Sequence, residues 1–132
     1  IGKKLLRVEA LMHKGKEIPC VRPETPMGEV IEEMTQKKLG MTCVVNPEKI
    51  LVGIITDGDL RRMLKKHKET ILQKTAEDCM TLNPITIDKS DLATEALNIM
   101  EQKKITSLVI KNKSGKMEGI IHLHDLWRTE MF

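Results

Sequence analysis

The chain has 132 residues, enough to bury one compact core, and its 22 basic and 19 acidic residues give a net charge of only +3. That balance does not indicate a nucleic-acid partner, and one Trp, one Phe and no Tyr leave few rings on which bases stack. No apolar run approaches the roughly twenty residues that span a bilayer, and no signal peptide is visible. Three widely spaced cysteines favour reduced thiols. We expect a cytoplasmic protein with no nucleic-acid or membrane partner.

The first half of the chain predicts a strand, a helix, two strands and a second helix. The opening strand is expected at Pro19-Cys20-Val21. Apolar residues at i, i+3, i+4 and i+7 then give a helix one buried face, and Thr25 before Pro26 is a start signal, because Thr caps helices and Pro suits their first position. Apolar runs on either side of a polar turn indicate two strands, the second ending at Thr56. The second helix is expected over Leu60 to Lys66, and a basic connector follows.

The second half repeats this order. The segment Gly53-Ile54-Ile55-Thr56-Asp57-Gly58-Asp59-Leu60 returns 66 positions later as Gly119-Ile120-Ile121-His122-Leu123-His124-Asp125-Leu126. We call these two segments the signatures. The counterpart strand is expected at Ile85-Thr86-Ile87, Asp91 takes the cap position, and the last helix is expected over Leu126 to Met131. An internal repeat indicates two structural units that cover each other's apolar faces.

Two places depart from a strict repeat. Residues 8–12 match residues 76–80 at a shift of 68, so the loop from His13 to Ile18 is two residues longer than its counterpart; we call residues 8–12 and 76–80 the first and second lead-in segments. Leu39 reads as one extra residue in the first copy. The predicted fold is α/β, with two pseudo-symmetric βαββα repeats packed sheet to sheet, the first within residues 1–75 and the second within 76–132.

The chemistry is concentrated in the signatures. Thr56 ends a strand and Asp59 lies in the first turn of a helix, so a hydroxyl, a carboxylate and unpaired N–H groups meet there. Helix N-termini attract phosphate and a carboxylate can accept both ribose hydroxyls, which together suit a nucleotide. Alternatively, Thr56 or Asp57 caps the helix and Asp59 only enriches its first turn. Arg61 and Arg62 suit either a phosphate contact or a solvated helix face.

The histidines allow fewer interpretations. His122 and His124 stand two apart next to Asp125, which suits part of a metal site, but too few further ligands are near, and we expect no metal. His13 and His67 lie in polar surroundings and are expected to be solvated. No P-loop, Gly-x-Ser-x-Gly or paired Cys and base motif appears, so we expect no catalytic residue in this chain.

Two Met-ended lead-in segments, two amphipathic helices and two signatures in this order resemble a tandem pair of cystathionine-beta-synthase (CBS) domains. More closely, Leu5-Leu6-Arg7-Val8-Glu9-Ala10-Leu11-Met12, Thr56-Asp57-Gly58-Asp59-Leu60-Arg61-Arg62 and His122-Leu123-His124-Asp125-Leu126 resemble the C-terminal half of bacterial D-arabinose 5-phosphate isomerases. In that family an isomerase domain precedes the CBS pair, so the resemblance implies that the parent protein is an aldose-ketose isomerase.

The resemblance also implies binding residues, because CBS pairs hold nucleotides in clefts between the copies, with the Asp on ribose and the Thr or Ser near phosphate. It assigns Thr56 and Asp59 to one cleft and Asp125 to the other. His122 replaces the hydroxyl residue of the second signature, and a phosphate contact there would depend on pH. The base-side residues implied are Pro19, Cys20, Val21, Met41 and Thr42 for one cleft and Ile85, Thr86, Thr106 and Ser107 for the other.

The function implied is a nucleotide sensor of an isomerase that supplies the lipopolysaccharide sugar Kdo. A cytidine nucleotide sugar, CMP-Kdo, ranks ahead of adenine nucleotides as the regulatory ligand. Two alternatives stay open: a CBS pair that binds nothing small and joins subunits, and a CBS pair that regulates another host through adenine nucleotides. Self-association into a dimer is expected, with higher oligomers through the missing isomerase domain, and Trp127 and Phe132 suit either an interface or a core.

Overall fold

The computed structural model describes residues 5–129, and these fall into two compact units. The middle unit is Lys16–Pro84, and the terminal unit joins the residues up to Gly15 to those from Ile85 onward. The predicted boundary between residues 75 and 76 follows the sequence repeat. In the structure the first lead-in segment belongs to the terminal unit, and the second lead-in segment belongs to the middle unit. Phe132 and the end of the last predicted helix lie outside the described residues.

The middle unit is a three-stranded sheet with helices. Its strands are β1 (Cys20–Val21), β2 (Met41–Val45) and β3 (Leu51–Thr56), in the order β1-β2-β3, with β1 parallel and β3 antiparallel to β2. Helices α1 (Met27–Lys37), α2 (Asp57–Lys66) and α3 (Ala76–Cys79) complete it. Apolar residues at the helical spacing of α1 form the core with the sheet, as the periodicity predicts: Met27, Val30, Met34, Val44 and Ile55.

The terminal unit repeats this architecture. Strands β4 (Thr86–Ile87), β5 (Ser107–Lys111) and β6 (Met117–His122) form a sheet of order β4-β5-β6 with the same directions. Helix α4 (Ala93–Lys103) precedes β5, and α5 (Leu123–Trp127) follows β6. The core here is built on Ala96, Met100, Leu108, Ile121 and Leu126. The predicted α/β fold class is confirmed.

The strand pairing shows that Leu39 is not the extra residue that the sequence predicts. The C-caps of helices α1 and α4 are Lys38 and Lys104, both in the left-handed conformation, and these two residues are 66 positions apart. Strand β2 pairs Met41 with Thr56, and β5 pairs Ser107 with His122 at the same shift. The repeat is therefore continuous from the helices to the signatures, and Leu39 is not an extra residue.

Helix starts also differ from the prediction. The N-caps of α1 and α4 are Pro26 and Leu92, and neither caps through its side chain. Thr25 instead accepts a bond from the N–H of Arg22, and Asp91 accepts one from the N–H of Asp88. Thr25 and Asp91 thus close the turns that precede the helices. The second helix of each copy begins at the end of the strand, at Asp57 and Leu123, three residues earlier than predicted.

Each lead-in segment packs on the sheet of the opposite sequence repeat. The second segment ends in a bridge between Thr81 and Ile54 of β3, and the first ends in a bridge between His13 and Ile120 of β6. The residues at the two bridges are 68 and 66 positions apart, which confirms both predicted shifts and the longer loop after His13. Across the described part of the chain, no helix has the length and apolar character needed to cross a membrane.

Candidate functional site

Thr56 and Asp59 of the first signature cap helix α2 reciprocally. The Thr56 hydroxyl accepts the N–H of Asp59 at 3.1 Å, and Asp59 Oδ2 accepts the N–H of Thr56 at 2.9 Å. This capping box satisfies two donors that a helix start leaves unpaired. The capping alternative is therefore what the structure shows for Thr56, while a nucleotide contact by the same pair stays a prediction.

Asp59 does more than enrich the first turn of its helix. It is 7% exposed, and its Oδ1 accepts bonds from Arg62 Nη2 at 2.6 Å and from the Thr81 hydroxyl at 3.2 Å. A buried carboxylate needs such partners, because an unpaired one costs several kcal/mol of stability. Arg62 thus pairs with the signature carboxylate of its own helix, and Thr81 ties the end of the second lead-in segment to it.

The second signature uses the same device with different side chains. His122 Nδ1 accepts the N–H of His124 at 3.1 Å, and Asp125 Oδ2 accepts the N–H of His122 at 2.7 Å. Asp125, also 7% exposed, lies 2.9 Å through Oδ1 from His13 Nε2. The expectation that His13 is solvated is wrong, because this side chain joins the first lead-in segment to the signature. A signal existed: His13 and Thr81 each directly follow a lead-in segment.

The signature glycines make room for these crossings. A Cβ at Gly53 would lie 2.7 Å from Met80 Sδ and 2.9 Å from the carbonyl oxygen of Thr81. A Cβ at Gly119 would lie 2.8 Å from both Met12 Sδ and the carbonyl oxygen of His13. Real Cβ atoms essentially never come this close to other heavy atoms. Each signature therefore combines a gap for the lead-in segment, a helix cap and a carboxylate that holds the segment.

The implied base-side residues occupy unequal environments. Met41 and Ser107 lie directly opposite Thr56 and His122 in the sheets, so each unit brings one of them to the end of its signature strand. Because the repeat is continuous, the counterpart of Thr42 is the buried Leu108 and not Ser107. In the middle unit Pro19, Val21, Met41 and Thr42 are buried and Cys20 half-buried, whereas in the terminal unit Ile85 and Thr106 are exposed and Thr86 and Ser107 half-buried.

Two hollows lie near the signatures, each within one unit. One, of about 290 Å³, lies between α1 and the start of α2 and was not predicted from the sequence; it is lined by Ile31, Met34, Thr35, Lys38, Gly40, Asp57 and Leu60. The other, of about 320 Å³, is lined by His124, Trp127 and Arg128. Both combine apolar atoms with charged groups.

Burial shifts the pKa of one signature histidine and of the three cysteines. Burial, aided by nearby His124, lowers the pKa of His122, which favours the neutral imidazole whose Nδ1 can accept the capping bond. Burial also raises the pKa of the thiols of Cys20, Cys43 and Cys79, all of which are free. Among residues 5–129, no group of three or more His, Cys, Asp or Glu side chains is arranged to hold a metal ion.

Comparisons with known proteins agree with the duplicated architecture. The family model of the CBS domain matches residues 8–66 and 76–126. The uncharacterized protein RP505 of Rickettsia prowazekii is 45% identical over 126 residues, which are 96% of this chain and 38% of that protein. Arabinose 5-phosphate isomerase KdsD of Francisella tularensis is 40% identical over 132 residues, 99% of this chain and 40% of that protein. The chain spans about two fifths of the length of these curated relatives.

A solved structure shares the fold over nearly the full length. The crystal structure of CBSX2 from Arabidopsis thaliana, in complex with AMP, has a TM-score of 0.83 and 23% identity, and the match covers 95% of this chain and 96% of that chain. At this identity the likeness shows the fold alone.

Proposed function

This chain belongs to the CBS domain family, and we propose that it is the nucleotide-sensing regulatory part of a D-arabinose 5-phosphate isomerase. The observation that carries the proposal is the 40% identity to such an isomerase over 99% of the chain but only 40% of the relative. An aldose-ketose isomerase needs a base placed beside a carbonyl, and the remaining three fifths of such a protein have room for it. In this chain each signature carboxylate accepts a helix-cap bond and a contact from the residue that follows a lead-in segment.

A nucleotide is the ligand class we propose, because phosphate and ribose suit the groups at each signature. A carboxylate has about four acceptor positions, and a ribose offers two hydroxyls. The described contacts occupy three positions on Asp59 and two on Asp125. Asp125 therefore has more capacity for a diol, and we place the stronger ribose contact there. AMP in the CBSX2 complex supports the nucleotide class.

The ligand within this class is proposed from metabolic logic. If the parent enzyme supplies Kdo for lipopolysaccharide, a nucleotide-activated Kdo made downstream is a natural feedback signal. Such a signal has to bind two arrangements of the protein unequally, with a coupling of about 1 to 3 kcal/mol. We therefore rank CMP-Kdo ahead of AMP, and place the sensor in the cytoplasm beside the enzyme that makes the sugar.

Calorimetric titration of the chain with CMP-Kdo, CMP and AMP tests the proposal. We expect saturable binding, with the affinity lowered about tenfold in Asp125→Asn, because a hydrogen bond to a charged group is lost. Glu95→Gln is the control, since Glu95 is an exposed carboxylate in the first turn of α4 and belongs to neither signature. Absence of binding by every nucleotide to the folded chain would refute the sensor function.

Exposed apolar side chains favour a second candidate, an assembly module. Three large apolar side chains are exposed: Leu64 on α2 by 47%, Leu72 in the connector by 66%, and Trp127 at the end of α5 by 58%. Large exposed apolar groups are typical of surfaces that meet another protein. Sedimentation over a range of concentrations decides this point: a dimer that forms without nucleotide, in a chain that binds no nucleotide, would support assembly.

A further inference from the structure

His13 and Thr81 occupy equivalent places but differ in the charge they can carry. Each directly follows a lead-in segment, and each is held by two backbone hydrogen bonds to the signature strand, His13 to Ile120 and Thr81 to Ile54. Each side chain also reaches Oδ1 of the signature carboxylate, at 2.9 Å for His13 and 3.2 Å for Thr81. A Thr hydroxyl stays neutral at every pH of interest, whereas imidazole is the side-chain type that can change charge near neutral pH.

The cation that balances each carboxylate comes from a different place in the two units. In the middle unit it is Arg62, a permanent cation on the same helix as Asp59. The repeat counterpart of Arg62 is Arg128, but the described ion pair of Asp125 is with His13. The middle unit therefore balances its carboxylate locally, and the terminal unit does so with a titratable group brought by the first lead-in segment.

We infer that protonated His13 fastens the first lead-in segment to Asp125, and that this latch loosens when His13 loses its proton, while the attachment at Thr81 does not respond to pH. Protonation turns a neutral hydrogen bond into a charge-assisted one, which is roughly twice as strong. After deprotonation the segment keeps its backbone bonds to Ile120. The terminal unit thus holds the segment more tightly at low pH.

The charged groups around the latch come from each neighbouring element. His122 ends β6, His124 lies on α5 and Arg128 is the C-cap of that helix; charges on His13, His124 and Arg128 all act on His122. Lys14 follows His13 in the chain. Helix α4, which also packs against α5, contributes apolar side chains to this core. Asp125, 2.9 Å from Nε2 of His13, is an anion that pairs with a protonated imidazole. His122 Nδ1 accepts the N–H of His124, so a proton on that nitrogen would break the cap, which opposes a charge on His122.

Urea unfolding of the chain and of His13→Gln at about pH 5.5 and pH 8 tests the latch, because Gln keeps a neutral donor but cannot titrate. Circular dichroism follows the unfolding at both pH values, because Trp127 is 58% exposed and its ring lies 5.6 Å from that of His124, another titratable group. We expect the ratio of the unfolding constants, variant to parent, to be about fivefold larger at the lower pH. The matched control, His67→Gln, alters a histidine at the end of α2 and is expected to leave the ratio unchanged with pH.

Two results would overturn the latch: a ratio for His13→Gln that is the same at both pH values, or a shift of equal size in the control. If His13→Gln does not fold, an NMR titration of the parent chain decides instead. The ring of His13 and the carboxyl carbon of Asp125 are then expected to respond in one common pH step, together with the amides of His13 and Ile120. Independent steps would refute the latch. Neither measurement uses a nucleotide, so both stand apart from the proposed sensor function.

Discussion

Replacing Gly53 by Ala should cost the middle unit about 2 kcal/mol of unfolding free energy. The added methyl would meet Met80 Sδ at 2.7 Å and the carbonyl oxygen of Thr81 at 2.9 Å. Met80 is a flexible side chain that can turn away, but the carbonyl belongs to backbone that is paired with Ile54 in both directions, at 3.0 and 2.8 Å. Overpacking of this kind costs about 1 to 3 kcal/mol. We expect a cost near the middle of this range, because Met80 Sδ can move away from the added methyl whereas the carbonyl oxygen of Thr81 cannot.

The assay is urea unfolding followed by circular dichroism, with Gly28→Ala as the matched control. Gly28 lies in the first turn of α1, where a Cβ would meet only Leu72 Cδ2 at 4.0 Å. Ala is the better helix former by about 0.5 to 1 kcal/mol, so this change should stabilise the protein. The same chemical substitution is thus expected to act in opposite directions at the two glycines.

The repeat provides a second test of the same reasoning. Gly119→Ala places its methyl 2.8 Å from the carbonyl oxygen of His13, so it should destabilise the terminal unit by a similar amount, measured by the same urea unfolding. A Gly53→Ala protein as stable as its parent would show that the lead-in segment does not cross the signature as described. Loss of stability in Gly28→Ala would instead show that α1 is placed wrongly.

The remaining predictions concern protonation. The pKa of His122 is lowered by burial in the folded chain, so the unfolded chain binds the proton more readily and stability falls as the pH drops below about 6.5. His122→Thr should therefore lose less stability between about pH 7.5 and pH 5, measured by urea unfolding; an unchanged pH dependence would contradict this cause. Burial likewise raises the pKa of the Cys43 thiol, which is 0% exposed, so this residue should resist a thiol reagent at about pH 8 until the chain unfolds. Labelling of Cys43 as fast as a free thiol would show that β2 is not buried.

Elements set by local periodicity could be predicted from the sequence. The apolar spacing of Met27, Val30 and Met34 defines one helix face, and that face lies in the core. The strands that flank each polar turn, and the repeat that relates the two sheets, follow from similar local patterns. Thr56 was predicted as a possible cap for the same reason, since a cap acts only on the next few residues.

Contacts between residues far apart in the chain could not be predicted in this way. His13 meets Asp125 across 112 positions, and nothing in the residues around His13 indicates an acidic partner. The two residues meet because the first lead-in segment crosses to the second sequence repeat, where His13 bridges Ile120 of β6. That contact forms only when the sheet of the terminal unit is folded. The prediction that Thr25 caps α1 was wrong for a related reason. A Thr hydroxyl can either close a turn or cap a helix, and here it accepts the N–H of Arg22 while Pro26 takes the N-cap position.

The signature can be explained almost entirely by the folding of its own unit. Gly53 leaves space for the lead-in segment, Thr56 caps α2, and Asp59 binds both the cap and the segment. Recurrence of such a motif therefore indicates the fold before it indicates a ligand. Two hydroxyl positions of the middle unit are imidazoles in the terminal unit: Thr56 of the signature corresponds to His122, and Thr81, which follows the lead-in segment, corresponds to His13. Because a neutral hydroxyl and an imidazole respond differently to pH, the two halves of a duplicated fold are expected to report different conditions.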